Sequence, residues 1–141
     1  MTGELPRYYL DTSAWLAMVL DEPLGAALRD ELDRGLWLSS TLLLVEAHRN
    51  AVQYARTGRL TAAQMRRIID LLDADIDRFQ LRDLTLDLAT SRVLPVVTTP
   101  RSLDLVHLQT AVWFHARDPL TRFVSLDRAL VDAAAELALP V

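Results

Sequence analysis

Short apolar runs alternate along this chain with longer stretches in which apolar positions recur every three or four residues. Residues 7–10, 36–38, 79–81 and 122–126 read as buried strands, the third of them weak. Between them the helical period predicts a helix capped by Ser13 that runs to about residue 20 and is ended by Asp21-Glu22-Pro23. A second covers 24–34, with Leu24, Leu28 and Leu32 four apart and Gly35 as its stop, and a third covers about 41–57, capped from Ser39, Ser40 or Thr41 and closed by Gly58. Thr61 opens a helix to about residue 75 with apolar positions Met65, Ile68, Ile69, Leu71 and Leu72. Further helices are expected over 83–93, 103–116 and 128–138, with a loop at 96–102 and a terminal edge at Pro140-Val141.

Strands alternating with helices are the pattern of an α/β domain whose parallel sheet is covered on both faces. In such sheets ligands bind outside the carboxyl ends of the strands. Four acids stand beside apolar runs: Asp11 after Tyr8-Tyr9-Leu10, Glu46 after Leu42-Leu43-Leu44-Val45, Asp104 between Leu103 and Leu105, and Asp127 after Phe123-Val124-Ser125-Leu126. Asp11 and Asp127 follow strands, whereas Glu46 and Asp104 fall in the first turns of helices that can start at the same edge. An Asp at a helix start often merely caps it. Glu46 is harder to dismiss, because it interrupts the most apolar stretch of its helix. Brought together, these carboxylates would repel until one or more took up a proton or a divalent cation joined them.

A length of 141 residues suits one domain, 1–141, with one core. With 51% hydrophobic and 24% charged residues, the chain is neither disordered nor fibrous. The absence of cysteine excludes disulfides and thiolate metal sites. Residues 14–20 are too few to span a bilayer and follow an acid rather than a basic region, so the expected location is cytoplasmic, with no membrane contact. A net charge of −4 excludes a protein that coats nucleic acid by bulk attraction but not one that grips a phosphate chain locally. All 15 basic residues are arginine. Its planar fork suits phosphate, although a GC-rich coding sequence produces the same bias.

Four strings carry a resemblance: Tyr9-Leu10-Asp11-Thr12-Ser13-Ala14, Ser39-Ser40-Thr41-Leu42-Leu43-Leu44-Val45-Glu46-Ala47, Leu103-Asp104-Leu105-Val106-His107-Leu108-Gln109-Thr110-Ala111, and Val124-Ser125-Leu126-Asp127. In order and spacing they resemble the PIN-domain family, in particular the VapC-like ribonuclease toxins of toxin–antitoxin pairs. The resemblance implies a three-layer α/β/α domain with a central, mostly parallel sheet of four to five strands. It also implies an acidic pocket that holds Mg²⁺ or Mn²⁺ and hydrolyses RNA to 5′-phosphate and 3′-hydroxyl ends. Carried over by position, Asp11, Glu46 and Asp104 match the three core acids and Asp127 a more variable fourth, all four as catalytic residues and metal ligands. Thr12 and Ser13 match the small hydroxyl residues after the first acid, and Ser125 stands where relatives often have threonine. A cognate antitoxin and a homodimer are implied as partners. The chemistry agrees, because Mg²⁺ takes a few carboxylates and keeps several waters, one of which can attack phosphorus.

Around these acids, Arg49 and Asn50 share the helical face of Glu46, and Arg101 lies one turn before Asp104; each is a candidate for substrate contact or for simple salt bridging. His107, three residues after Asp104, is a candidate ligand or base, or a helix residue bonded to a nearby turn. Arg56, Arg59, Arg66 and Arg67 form an RNA or partner surface, or a solvated face. Trp15, Trp37, Trp113 and Phe114 are assigned mainly to the core, with Trp15 and Trp113-Phe114 as alternative interface anchors. A receiver domain is disfavoured by the lack of lysine, and a dehalogenase-type phosphatase by Ser13 where its second aspartate would stand. The remaining alternative is a non-catalytic RNA- or protein-binding module with a vestigial pocket.

Overall fold

The computed structural model describes residues 3–20, 22–91, 97 and 101–141. Four strands, β1 (Arg7–Leu10), β2 (Leu36–Ser40), β3 (Phe79–Arg82) and β4 (Arg122–Val124), form an all-parallel sheet in the order β3-β2-β1-β4. Tyr8 pairs with Trp37 on one side and with Arg122 on the other, so β1 is central. The chain steps outward from β1 to β2 and β3, then returns to the far side of β1 with β4. A reversal of this kind opens a crevice at the carboxyl ends of the strands. Edge strand β4 is short, and Phe123 N–H donates to the Pro140 carbonyl at 2.7 Å, so the terminal segment covers that edge as expected.

Side chains along a strand point alternately to opposite faces, and this splits the core into two layers. Tyr8, Leu10, Trp37, Phe79 and Val124 pack with helices α1 (Thr12–Val19), α3 (Leu42–Arg56) and α4 (Ala62–Asp75). On the other face Tyr9, Leu38 and Phe123 pack with α6 (Ser102–Arg117) and α7 (Arg128–Glu136). The wholly buried aromatics Tyr9, Trp15 and Trp37 each contribute about 4–6 kcal/mol of apolar burial before conformational entropy is counted. Trp15 and Trp37 are thereby core residues, with Nε1 donating to Asp75 and to the Leu32 carbonyl respectively. Phe114 is buried as well, while Trp113 is half-buried with the guanidinium groups of Arg82 and Arg117 over its ring.

Local signals locate several boundaries. Thr61 caps α4 through a complete capping box with Gln64, and Gly58, at φ +78°, follows α3 as the left-handed stop. Other expectations are corrected. Asp11, not Ser13, caps α1: its backbone is extended and its carboxylate accepts the Ala14 N–H at 3.0 Å, while Ser13 sits inside the helix. Helix α2 (Pro23–Leu32) buries Leu32, but Leu24 is exposed, because α1 and α2 approach at Gly25, where a Cβ would overlap the Ala17 carbonyl oxygen. Glu46 is in the second turn of α3, not the first. The helix expected at 83–93 is only α5 (Leu86–Ala89), with residues 92 and 93 outside the described residues. Of the loop expected at 96–102, residues 96 and 98–100 also lie outside them, and Ser102 already belongs to α6. Strand β4 stops at Val124; beyond it Ser125 donates to Asp11 and Leu126 lines the pocket. No described helix is long and apolar enough to cross a membrane.

Candidate active site

An open pocket of about 240 Å³ lies at the carboxyl edge of the sheet, and Asp11, Glu46, Asp104 and Asp127 all line it. Each arrives on a different element. Asp11 directly follows β1, where its N–H still donates to the Val124 carbonyl at 3.1 Å and prolongs the ladder with β4. Glu46 comes from α3, and Asp104 from the first turn of α6. Asp127 caps α7, its Oδ1 accepting from Ala129 N–H and Leu130 N–H.

Asp11 is 4% exposed. Its Oδ1 accepts from Ser13 Oγ at 2.7 Å and from Ala14 N–H, and its Oδ2 from Ser125 Oγ at 2.6 Å. Burial raises the Asp11 pKa above its ordinary 3.8, because these donors only partly offset the loss of water. Ser13 Oγ also accepts from Leu126 N–H, and Ser125 Oγ from Asp127 N–H, so the two serines tie the ends of β1 and β4 together.

Glu46 is held differently. Its Oε1 accepts from Thr12 Oγ1 at 2.8 Å and lies 2.8 Å from His107 Nε2. Partial burial pushes its pKa up, yet the contacts with His107 and Thr12 and the charge of Arg101 outweigh this and leave it below the ordinary 4.5. Arg101 bridges the other two acids, with Nε 3.2 Å from Asp104 Oδ2 and Nη2 2.6 Å from Asp127 Oδ2.

The family of PIN domains matches residues 8–136 of this chain. The chain belongs to the PIN-domain family. Among curated proteins it is similar to "Ribonuclease VapC35" of Mycobacterium tuberculosis, in both the CDC 1551 / Oshkosh and the ATCC 25618 / H37Rv strains. In each case identity is 33% over 136 residues, covering 94% of this chain and 93% of the relative. The four-stranded parallel sheet between two helical layers is the PIN-like α/β/α architecture.

As a PIN site, the pocket offers carboxylate oxygens from five segments, those of Asp11, Glu22, Glu46, Asp104 and Asp127, a donor set whose chemistry fits a hard divalent cation. Among the described residues, however, no three acid or imidazole groups converge closely enough to hold a metal ion as they stand. Arg101 supplies the positive charge between Asp104 and Asp127 instead. Thr12, Ser13, Asn50 and Arg101 line the pocket, whereas Arg49 is exposed, outside the lining, and donates to Asn50 Oδ1. Arg56, Arg59, Arg66 and Arg67 are exposed, and the Arg59 guanidinium lies 4.2 Å from the centroid of the Tyr54 ring.

Three groups at the site escaped the reading of the sequence, the first being Glu22, which reads only as part of a helix end but lines the pocket as a fifth acid. Tyr54 lines the pocket, and its signal was the helical spacing Glu46, Asn50, Tyr54, four residues apart on one face. Tyr9 reads as a core residue, and its role as the partner of His107 Nδ1 at 2.8 Å has no local signal at all.

Proposed function

We propose that this protein is a metal-dependent endoribonuclease that hydrolyses RNA phosphodiester bonds, the toxin of a toxin–antitoxin pair. The single observation that carries this reading is the meeting of Asp11, Glu46, Asp104 and Asp127, from four separated segments, in one pocket at the switch point of a PIN-domain sheet. The similarity to a protein named as a ribonuclease adds the substrate class.

The residues that would hold Mg²⁺ or Mn²⁺ are Asp11, Glu46, Asp104 and Asp127. When bound, such a cation supplies neutralisation of charge at the scissile phosphate and acidification of a water. The remaining work belongs to the chain. Ser13, Ser125 and Ala14 N–H fix the Asp11 carboxylate, and Thr12 fixes Glu46. Arg101 lies within the pocket, and its planar fork is of the kind that suits a phosphate. Asn50 offers a neutral amide on the same wall.

The reading includes a cytoplasmic protein, a homodimer and a cognate antitoxin as partner. A non-catalytic binding module is the second reading, and one observation favours it: Arg101 already neutralises two of the four acids. Cleavage of labelled RNA with Mn²⁺ present and with chelator added separates the two, together with Mn²⁺ calorimetry. The nuclease reading expects metal-dependent cleavage that disappears in the Asp11→Asn plus Asp104→Asn double variant. Retained cleavage in that variant, or a parent that binds no Mn²⁺, sinks it.

A further inference from the structure

Under the pocket floor a line of buried polar groups joins the sheet to Glu46. Tyr9 is wholly buried, its ring stacked on Phe123 at 5.4 Å and met edge-on by the imidazole of His107 at 5.9 Å. The Tyr9 hydroxyl is 2.8 Å from His107 Nδ1, and the opposite ring nitrogen, Nε2, is 2.8 Å from Glu46 Oε1. His107 is itself only 2% exposed, so no bulk water competes for either nitrogen. Thr12 donates to the same Glu46 oxygen. Among the described residues Glu46 Oε2 accepts no hydrogen bond.

We infer that Tyr9 locks His107 in the tautomer that carries its hydrogen on Nε2, which makes His107 a positioning residue that pins Glu46 by Oε1 and leaves Oε2 as the oxygen offered to a ligand. The inference rests on the metal-nuclease reading for what Glu46 then does, and on the hydrogen-bond geometry alone for the tautomer. Its direction follows from donors and acceptors. A tyrosine hydroxyl carries its proton at neutral pH and so has one to give. Ser39 and Thr110 stand near the phenol and give their own hydrogens to the Leu10 and Val106 carbonyls at 2.6 and 2.7 Å, so they remain acceptors for the phenol hydrogen, and the contact of Nε2 with Glu46 is what decides the tautomer. A hydrogen on Nδ1 would face the Tyr9 hydroxyl and leave Nε2 as a bare lone pair against a carboxylate oxygen. A hydrogen on Nε2 satisfies both contacts. A glutamate has three side-chain torsions, and two donors on one oxygen from the floor remove most of that freedom before any ligand arrives.

The full-length chain, free of metal and labelled with ¹⁵N, reports the tautomer through the imidazole nitrogens. The chain has 3 histidines, and the His107 signals are those lost in His107→Gln. The expected result is a hydrogen on Nε2 and none on Nδ1 in the parent, with a shift toward mixed tautomers in Tyr9→Phe. A hydrogen on Nδ1 in the parent overturns the inference. In Mn²⁺ calorimetry, His107→Phe is expected to lose about 10- to 100-fold in affinity, as removal of an outer-shell partner does, and His107→Gln, whose amide places a donor near Nε2, to recover most of it. A folded His107→Phe that binds as the parent does overturns the inference. Should His107→Phe not fold, Tyr9→Phe takes its place, and unchanged affinity there has the same meaning. A parent that binds no Mn²⁺ ends the metal reading instead and leaves the tautomer to be decided by the ¹⁵N spectrum.

Discussion

Asp11 and Glu46 rest on hydroxyl, amide and imidazole groups that come from the protein interior, whereas Asp104 and Asp127 face one another through a single exposed guanidinium. The first pair is built into the sheet: Asp11 ends β1, and the group beneath Glu46 hangs from Tyr9 of the same strand. The second pair is built into two helix starts and is joined by Arg101, whose side chain is 63% exposed. Hydrogen bonds to a buried charge are worth roughly 1.5–3 kcal/mol each, while an exposed ion pair is worth about 0–1 kcal/mol. The inner half is therefore fixed, and the outer half is adjustable. A pocket that must hold a cation and then admit a charged substrate has use for both.

The strongest break in this contrast is Asp11→Asn. If the inner half is the fixed part of a metal nuclease, this variant loses several kcal/mol of transition-state stabilisation, and RNA cleavage falls by at least about 100-fold. The folded protein should gain stability at the same time. The native Asp11 pKa is raised, so between 3.8 and that higher value the folded state binds more proton than the unfolded state, and stability falls as pH rises through the window. Asparagine has no such slope. The gain is expected at neutral pH as a higher thermal midpoint, and it should shrink as the pH is lowered toward 3.8. Thermal scans over a pH series check this; a variant less stable than the parent at pH 7 contradicts it.

Glu46→Gln sharpens the comparison, because the sign reverses within the same half. The Glu46 pKa is lowered, so its contribution is complete above 4.5 and is lost as pH falls through the native value. Replacing a charged acceptor of two hydrogen bonds by a neutral one should cost about 1 kcal/mol at pH 7 and nothing measurable once the parent is protonated. Denaturant midpoints for both proteins over a pH series descending from 7 decide it.

These effects mark how far the sequence could be read. Asp11, Gly58 and Thr61 were legible because a strand end, a left-handed stop and a capping box are local events, encoded within a few residues. The four acids were legible as a set because each interrupts an apolar run, and the topology then carries all of them to one edge. Ser13 was misread as a cap because it stands two residues after the true one, and a serine inside a first turn looks the same as a serine before it. Leu24 was misread because the helix period does not say where another helix comes closest, and here Gly25 takes that place. Arg101 was legible as a salt-bridge candidate one turn before Asp104, but its contact with Asp127 and the partners of His107 were not. Tyr9 is 98 residues from His107 and Asp127 is 26 from Arg101, and contacts at that separation are decided by packing rather than by local pattern.

Asp127 tests whether the outer half does more than start a helix. Asp127→Ala removes the acceptor of two N–H groups at the head of α7 and should cost about 1 kcal/mol, while Asp127→Asn keeps a cap and should cost only a few tenths. The two variants are then compared in the cleavage assay. A carboxylate that serves as a ligand predicts that both lose activity alike, although only one is destabilised. Activity that follows stability, intact in asparagine and reduced in alanine, assigns Asp127 to the cap alone.

The smallest effect comes from Arg101→Ala, and its sign is the most telling. As an exposed ion pair to two carboxylates, Arg101 stabilises the fold by no more than about 1 kcal/mol, so the thermal midpoint should hardly move. The same energy stands against any cation that takes Asp104 and Asp127 for itself. Removing the guanidinium should therefore tighten Mn²⁺ binding by up to about fivefold, the factor that 1 kcal/mol allows. Because Arg101 is also the arginine placed to receive phosphate, the KM for RNA should rise while metal affinity improves, and the two constants move in opposite directions. If Mn²⁺ binding weakens instead, Arg101 supports the cation site rather than competing with it, and the outer half is as fixed as the inner one.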